Sequence, residues 1–123
     1  MGEVRSFTDL RTWQESHKLT LEVYKLTKSW PKEEQYGLTS QIRRAAASVP
    51  SNIAEGMGRK SSKDFTRFLM TARGSVQEVL SQLILARDLN YLSVESYEIL
   101  SSRYNGLAAG INAHVAQLQK YSM

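Results

Sequence analysis

The stretch SSKDFTRFLMTARGSVQEVLSQLILARDLN, residues 61–90, decides the fold. Phe65, Phe68, Leu69, Ala72, Val76, Val79, Leu80 and Leu83 recur at steps of three and four. An α-helix turns once in about 3.6 residues, so this spacing gathers them on one face. Ser61 can cap the start, with Asp64 three residues on in the capping-box position. The reading is a helix over residues 62–90. Gly74 interrupts good helix formers at a cost of about 1 kcal/mol relative to Ala. It is therefore expected to mark a close helix crossing.

Working outward, the preceding segment reads as a helix over 35–57. Leu38, Ile42, Ala45, Val49 and Ile53 form its core stripe. Ala46, Ala47 and Ala54 keep the neighbouring surface small enough for another helix to approach. Pro50 lies inside it, removing one backbone donor and crowding the carbonyl of Ala46. A kink is expected there, or a restart capped by Ser48. Gly56 and Gly58 then end the helix. On the other side, Ser93 can cap a helix over 94–119 whose stripe is Tyr97, Leu100, Tyr104, Leu107, Ala108, Ile111, Val115 and Leu118.

The first helix is read over 9–30, capped by Thr8 or Asp9 and stopped by Pro31, which disfavours helical geometry at the residue before it. It carries two apolar stripes on nearly opposite sides. One is Leu10, Trp13, His17, Leu21 and Tyr24; the other is Leu19, Val23, Leu26 and Trp30. One face is enough for a monomeric bundle. Leu19, Val23, Leu26 and Trp30 are therefore read as an oligomer interface. The competing reading is one wide core face with Leu19 and Val23 half exposed. Short connections make successive helices antiparallel neighbours, so the fold is an all-α, up-down-up-down four-helix bundle in a single domain, 1–123.

Composition excludes several classes. The 123 residues fit one domain with a real core. There is no cysteine, hence no disulfide, thiolate metal site or Cys nucleophile. The longest apolar runs, such as Leu83-Ile84-Leu85-Ala86, are too short to span a membrane. Met1-Gly2-Glu3-Val4-Arg5 lacks the apolar stretch of a signal peptide. A cytoplasmic protein with no membrane contact is expected.

Catalytic signals are thin. The two histidines, His17 and His114, have no Glu three residues before them, so the di-iron carboxylate pattern of some bundles is missing. Arg11 and His17 loosely match the Arg-spacer-His pattern of certain helical ribonucleases; the competing reading is a packed histidine. Gly56-Met57-Gly58-Arg59-Lys60-Ser61-Ser62 suggests a phosphate cradle but lacks the preceding strand such loops need. We expect no catalytic residue, no metal and no cofactor, and a non-enzymatic protein.

Charge is more informative because it is uneven. Residues 41–75 hold Arg43, Arg44, Arg59, Lys60, Lys63, Arg67 and Arg73 against only Glu55 and Asp64. Residues 93–123 balance, with Arg103 and Lys120 against Glu95 and Glu98. The seven basic residues are the candidate nucleic-acid surface, with Arg59, Lys60 and Lys63 clustered at one turn, where the next helix's N-terminus also favours phosphate. A solvated surface with ordinary ion pairs is the competing reading. Gln41, Arg44, Ser48, Asn52 and Glu55 form a polar stripe that ends at Arg59. It is read either as a satisfied network at a helix contact or as an exposed flank.

These residues carry a resemblance. Phe7-x-Asp9-Leu10-x-x-Trp13-Gln14, followed by Tyr36-Gly37-Leu38-x-x-Gln41-Ile42-Arg43-Arg44-Ala45-Ala46-x-Ser48-Val49-Pro50-Ser51-Asn52-Ile53-Ala54-Glu55-Gly56, resembles the bacterial family of 23S rRNA intervening-sequence proteins. The pattern is also similar to the accessory variability protein of diversity-generating retroelements. Phe65-x-x-Phe68-Leu69-x-x-Ala72-x-Gly74-Ser75, with Glu78 and Gln82-Leu83, extends it to about Tyr91. The resemblance implies a homopentameric ring of four-helix bundles and a link to nucleic acid. RNA or DNA and a reverse transcriptase are the partners it implies. The alternative is a protein-interaction module, such as a reverse-transcriptase partner, with no nucleic-acid contact.

Overall fold

The computed structural model describes residues 4–121. Met1–Glu3 of the leader reading, and the outermost residues of the 1–123 span, lie outside them. Four helices follow in order: α1 (Arg11–Thr27), α2 (Leu38–Met57), α3 (Ser62–Asp88) and α4 (Val94–Tyr121). Two 3-10 turns, Phe7–Asp9 and Lys32–Glu34, precede α1 and α2, and no strand occurs among the described residues. Each helix packs on the next and α1 closes on α4, giving the expected antiparallel bundle. One buried cluster runs through all four helices.

The helix boundaries move for physical reasons. Ser6, not Thr8 or Asp9, caps the first turn, and Asp9 completes a capping box with it. Leu10 is extended, so α1 begins at Arg11, two residues later than expected. Its end is earlier than expected. Trp30 N–H bonds back to Thr27 C=O at 3.1 Å in a tightened turn, and the Trp30 side chain folds into the core. The segment up to Gly37 becomes a 3-10 turn and a loop, so α2 starts three residues late. α3 ends in an Asn90 at φ 65, with Tyr91 N–H bonded to Ala86 C=O and Asn90 N–H to Arg87 C=O. This is the Schellman geometry, with Asn in the left-handed position.

α1 corrects the interface assignment. Leu19 and Val23 are fully buried in the chain's own core, Trp30 is buried beside them, and Leu26 packs partly against them. Leu19, Val23 and Trp30 are core and Leu26 borders it, while on the other stripe His17, Leu21 and Tyr24 are exposed and Leu10 and Trp13 pack partly against the core. The core face is widened by Ser16 and Thr27, both buried. Their hydroxyls donate to Trp13 C=O at 2.9 Å and Val23 C=O at 2.9 Å. A hydroxyl satisfied by its own helix can sit in a core that side-chain hydrophobicity would not assign to it.

α2 runs unbroken through Pro50. Pro50 has no N–H, which leaves Ala46 C=O without its helical donor. The Thr20 hydroxyl on α1 lies 3.1 Å from Ala46 O and 2.7 Å from Ser16 O, so its single hydrogen is shared between the two carbonyls. The restart at Ser48 does not occur. Gly56 does not end the helix either. A Cβ there would lie 2.8 Å from Phe68 Cβ and 2.9 Å from Phe65 Cδ1. The glycine thus permits the α2–α3 approach, and Gly58 caps the helix. Gly74, expected at a crossing, is exposed with nothing near its missing Cβ.

Candidate nucleic-acid interface

The α2–α3 turn is built by local rules. Gly58 N–H closes the end of α2 on Ala54 C=O and Glu55 C=O, and Ser61 Oγ accepts from Asp64 N–H at 3.1 Å to start α3. These caps leave Arg59 and Lys60 in the turn itself, with Lys63 in the first turn of α3. All three are exposed. Arg59 pairs with Glu55 at 2.8 Å and Arg67 with Asp64 at 3.6 Å, both within one helical turn in sequence. The two guanidiniums also flank Phe68, at 4.6 Å and 5.1 Å from its ring centre. Lys60 and Lys63 have no acidic partner among the described residues. The turn therefore carries two compensated, aromatically braced arginines and two uncompensated lysines.

The seven basic residues do not form one patch. Arg43 lies fourteen positions before Met57, the last residue of α2, about 21 Å at 1.5 Å per residue, and Arg59 follows in the turn beyond. Arg43 is engaged in packing. Its Nε donates to Thr27 Oγ1 at 2.7 Å, its Nη2 to Tyr24 C=O at 3.3 Å, and its guanidinium lies over the Tyr24 ring. Arg73 donates to Asn112 Oδ1 on α4 at 2.8 Å. Arg44 is exposed, without a hydrogen bond or ion pair from its side chain among the described residues. Arg59, Lys60, Lys63 and Arg67 are together; Arg43 and Arg44 sit toward the opposite end of α2.

The polar stripe also divides. Ser48 Oγ and Ser75 Oγ meet at 2.9 Å across α2 and α3. Asn52 Nδ2 donates to Ser48 C=O at 2.8 Å and to Ser48 Oγ at 3.0 Å. This is a satisfied helix contact. Glu55 joins Arg59 instead, while the exposed Gln41 and Arg44 side chains make no hydrogen bond with it.

The histidines stand apart from one another. His17 stacks on Trp13 at 4.9 Å, and His114 meets the edge of Phe65 at 4.9 Å. Burial holds His114 below the usual imidazole value of 6.5, so at neutral pH it adds no charge beside the basic turn. No cluster of three or more His, Asp or Glu among the described residues could hold a metal ion. No helix among them is long and apolar enough to cross a membrane.

Two residues escaped sequence reasoning. Phe68 was read only as core, yet its ring is the surface on which Arg59 and Arg67 rest. Tyr36 is 90% exposed, in the loop before α2. In the sequence it heads the family-like string and stands outside every apolar stripe, with no role assigned to it.

Comparison with known proteins agrees with this architecture. The family model described as 23S rRNA-intervening sequence protein matches residues 8–113. A solved structure from Bacteroides thetaiotaomicron, of a protein with unknown function from the S23 ribosomal protein family, is similar with a TM-score of 0.76 at 20% identity. The similarity covers 85% of this chain and 97% of that one, and it speaks to the fold. No curated protein matches the chain.

Proposed function

Because the chain belongs to the 23S rRNA-intervening sequence protein family, we propose that it is a non-enzymatic, homo-oligomeric scaffold that binds nucleic acid through the α2–α3 turn. The observation carrying this is the pair of exposed, uncompensated lysines, Lys60 and Lys63, beside the unbonded N–H groups that open α3. Phosphate is the anion such a place attracts, through fixed charge and the helix dipole together. Binding of this kind reads backbone rather than sequence and weakens steeply with salt. Arg59 and Arg67 contribute less, because each already faces a carboxylate.

A pentameric ring, as the family resemblance implies, repeats the turn on one rim and adds the fields. With Leu19, Val23 and Trp30 inside the monomer, self-association falls to apolar side chains that remain exposed. Ile84, Leu85 and Leu89 on and after α3, and Val94 and Ile99 on α4, are of that kind. Light scattering across a dilution series reads this directly, and a monomer mass throughout would remove the ring. The working compartment in this reading is the cytoplasm.

The test of the site is fluorescence anisotropy with labelled RNA and DNA at low and high salt. The variant Arg59→Ala/Lys60→Ala/Lys63→Ala is expected to lose at least ten-fold in affinity and to flatten the salt dependence. Unchanged affinity in that variant would show that the turn is not the site. The same exposed apolar side chains favour a second reading, a protein-interaction module such as the reverse-transcriptase partner of a retroelement. Co-purification with a reverse transcriptase after nuclease treatment, without measurable nucleic-acid affinity, would favour that reading over the first.

A further inference from the structure

At the other end of α2 lies a concavity of about 510 Å³ whose lining includes Tyr24, Gln35, Tyr36, Ser40, Arg43 and Arg44. We infer that it is a second nucleic-acid site, in which the Tyr36 ring stacks on an unpaired base while Arg44 meets the adjoining phosphate.

Three observations support this. The first is display. Tyr36 is 90% exposed, so its ring contributes almost nothing to the core. The backbone beneath it is nonetheless fixed. Glu34 Oε1 accepts from Leu38 N–H at 3.1 Å, and Glu34 Oε2 accepts from Tyr91 O–H at 2.8 Å. A Cβ at Gly37 would lie 2.9 Å from Glu34 Oε1, so the glycine leaves room for the carboxylate in this position. A fixed backbone presenting a free aromatic is preorganised, which lowers the ordering cost of binding.

The second observation is charge. The concavity has two arginines and no carboxylate in its lining. Arg43 is held by Thr27 and Tyr24 and braces the Tyr24 ring, whereas Arg44 makes no hydrogen bond or ion pair among the described residues. Arg44 is therefore free to take an anion. The third is the mixture. Aromatic faces beside arginines, with a Gln amide and a Ser hydroxyl within reach, match the way single strands are bound: bases stack, and phosphates find cations. A paired base offers no free face to such a ring, so the site selects unpaired strands.

The inference rests on nucleic acid being the ligand class, but it uses residues separate from the α2–α3 turn. The two sites therefore fail separately. The experiment compares binding of the full chain to labelled oligo-dT and to an abasic strand of equal length and charge. Wild type is expected to prefer oligo-dT by about ten-fold, from one stacked base. Tyr36→Ala should reduce oligo-dT to the abasic level, and Tyr36→Trp should retain the preference. Equal binding of the two strands by wild type, with both lost in the Arg59/Lys60/Lys63 variant, would overturn this inference and leave the basic turn standing. A preference abolished by Tyr36→Ala but untouched by the triple variant would do the reverse. No binding of either strand would remove both. A change in oligomer mass in Tyr36→Ala, with the strand preference intact, would make the ring a subunit contact and overturn the stacking role.

Discussion

The two ends of α2 are stabilised in different ways. At its N-terminal end the chain takes ten residues to reverse, from Lys28 to Gly37, and one carboxylate holds the result. Glu34 ties the first N–H of α2 to the hydroxyl of Tyr91, which lies beyond the far end of α3. Trp30 packs against Tyr91 at 5.7 Å underneath. At the C-terminal end the reversal takes four residues and uses only local caps, while close contact does the rest. Gly56 lets α2 approach Phe65 and Phe68. One end is thus held by a long-range polar tie and the other by the lack of a side chain. The first arrangement can display an aromatic from a fixed loop. The second brings cations together in a short turn.

The largest effect in this comparison should come from filling the close contact. Gly56→Leu places a branched side chain where even a Cβ lies under 3 Å from two phenylalanines. Overpacking of this kind costs about 3 kcal/mol. It outweighs the roughly 1 kcal/mol that helix propensity returns when a glycine is replaced. Urea unfolding reads the loss, and an unchanged midpoint would mean that the α2–α3 spacing is not set by this glycine.

The next effect tests the opposite end. Glu34→Ala removes the acceptor shared by Leu38 N–H and Tyr91 O–H. Hydrogen bonds to a charged group contribute about 1.5–3 kcal/mol each. Partial exposure of Glu34 lets water replace some of this, so a loss of about 1–2 kcal/mol is expected. Glu34→Gln keeps an acceptor and should recover part of it. If the alanine variant unfolds like wild type, the loop before α2 is held by packing alone, and the contrast between the two ends disappears.

Most of the architecture was legible in the sequence because α2, α3 and α4 each carry one apolar stripe. Ile42, Val49 and Ile53, or Val76, Val79 and Leu83, are core at the positions their spacing implied. α1 misled because its core face includes Ser16 and Thr27, whose hydroxyls bond within their own helix. Counting apolar side chains then made the true core stripe look like a spare one. Gly56, expected to end a helix, and Gly74, expected at a crossing, exchange those expectations in part, because sequence position alone does not show what a glycine faces. Only packing separates a glycine against two phenylalanines from one facing solvent. The basic segment was visible as composition, but the rise of α2 from Arg43 to its end spread its members along about 21 Å. The display of Tyr36 depends on a contact between Glu34 and Tyr91, and no local pattern encodes a pairing that distant.

The smallest effect is a difference in pH response between the two ends. His114 lies beside Phe65 near the basic turn, and burial lowers its pKa below 6.5. The unfolded chain then binds a proton that the folded chain resists, so stability falls as pH drops from 6.5. Carboxylates titrate lower, which leaves the window from 6.5 to about 5 to this group. Tyr91 acts in the opposite direction. Its hydrogen bond to the Glu34 carboxylate raises its pKa above 10.0, with burial adding to the shift. Its contribution is complete below pH 10 and is lost as pH rises toward the folded value. Buried Tyr104 in mid-bundle is raised as well, chiefly by desolvation, and shares that alkaline limb. Urea midpoints measured across pH should therefore decline on both sides. His114→Gln should flatten only the acid side, and Tyr91→Phe should reduce only part of the alkaline side. An acid limb that survives His114→Gln would move the pH sensitivity away from the basic end of the bundle.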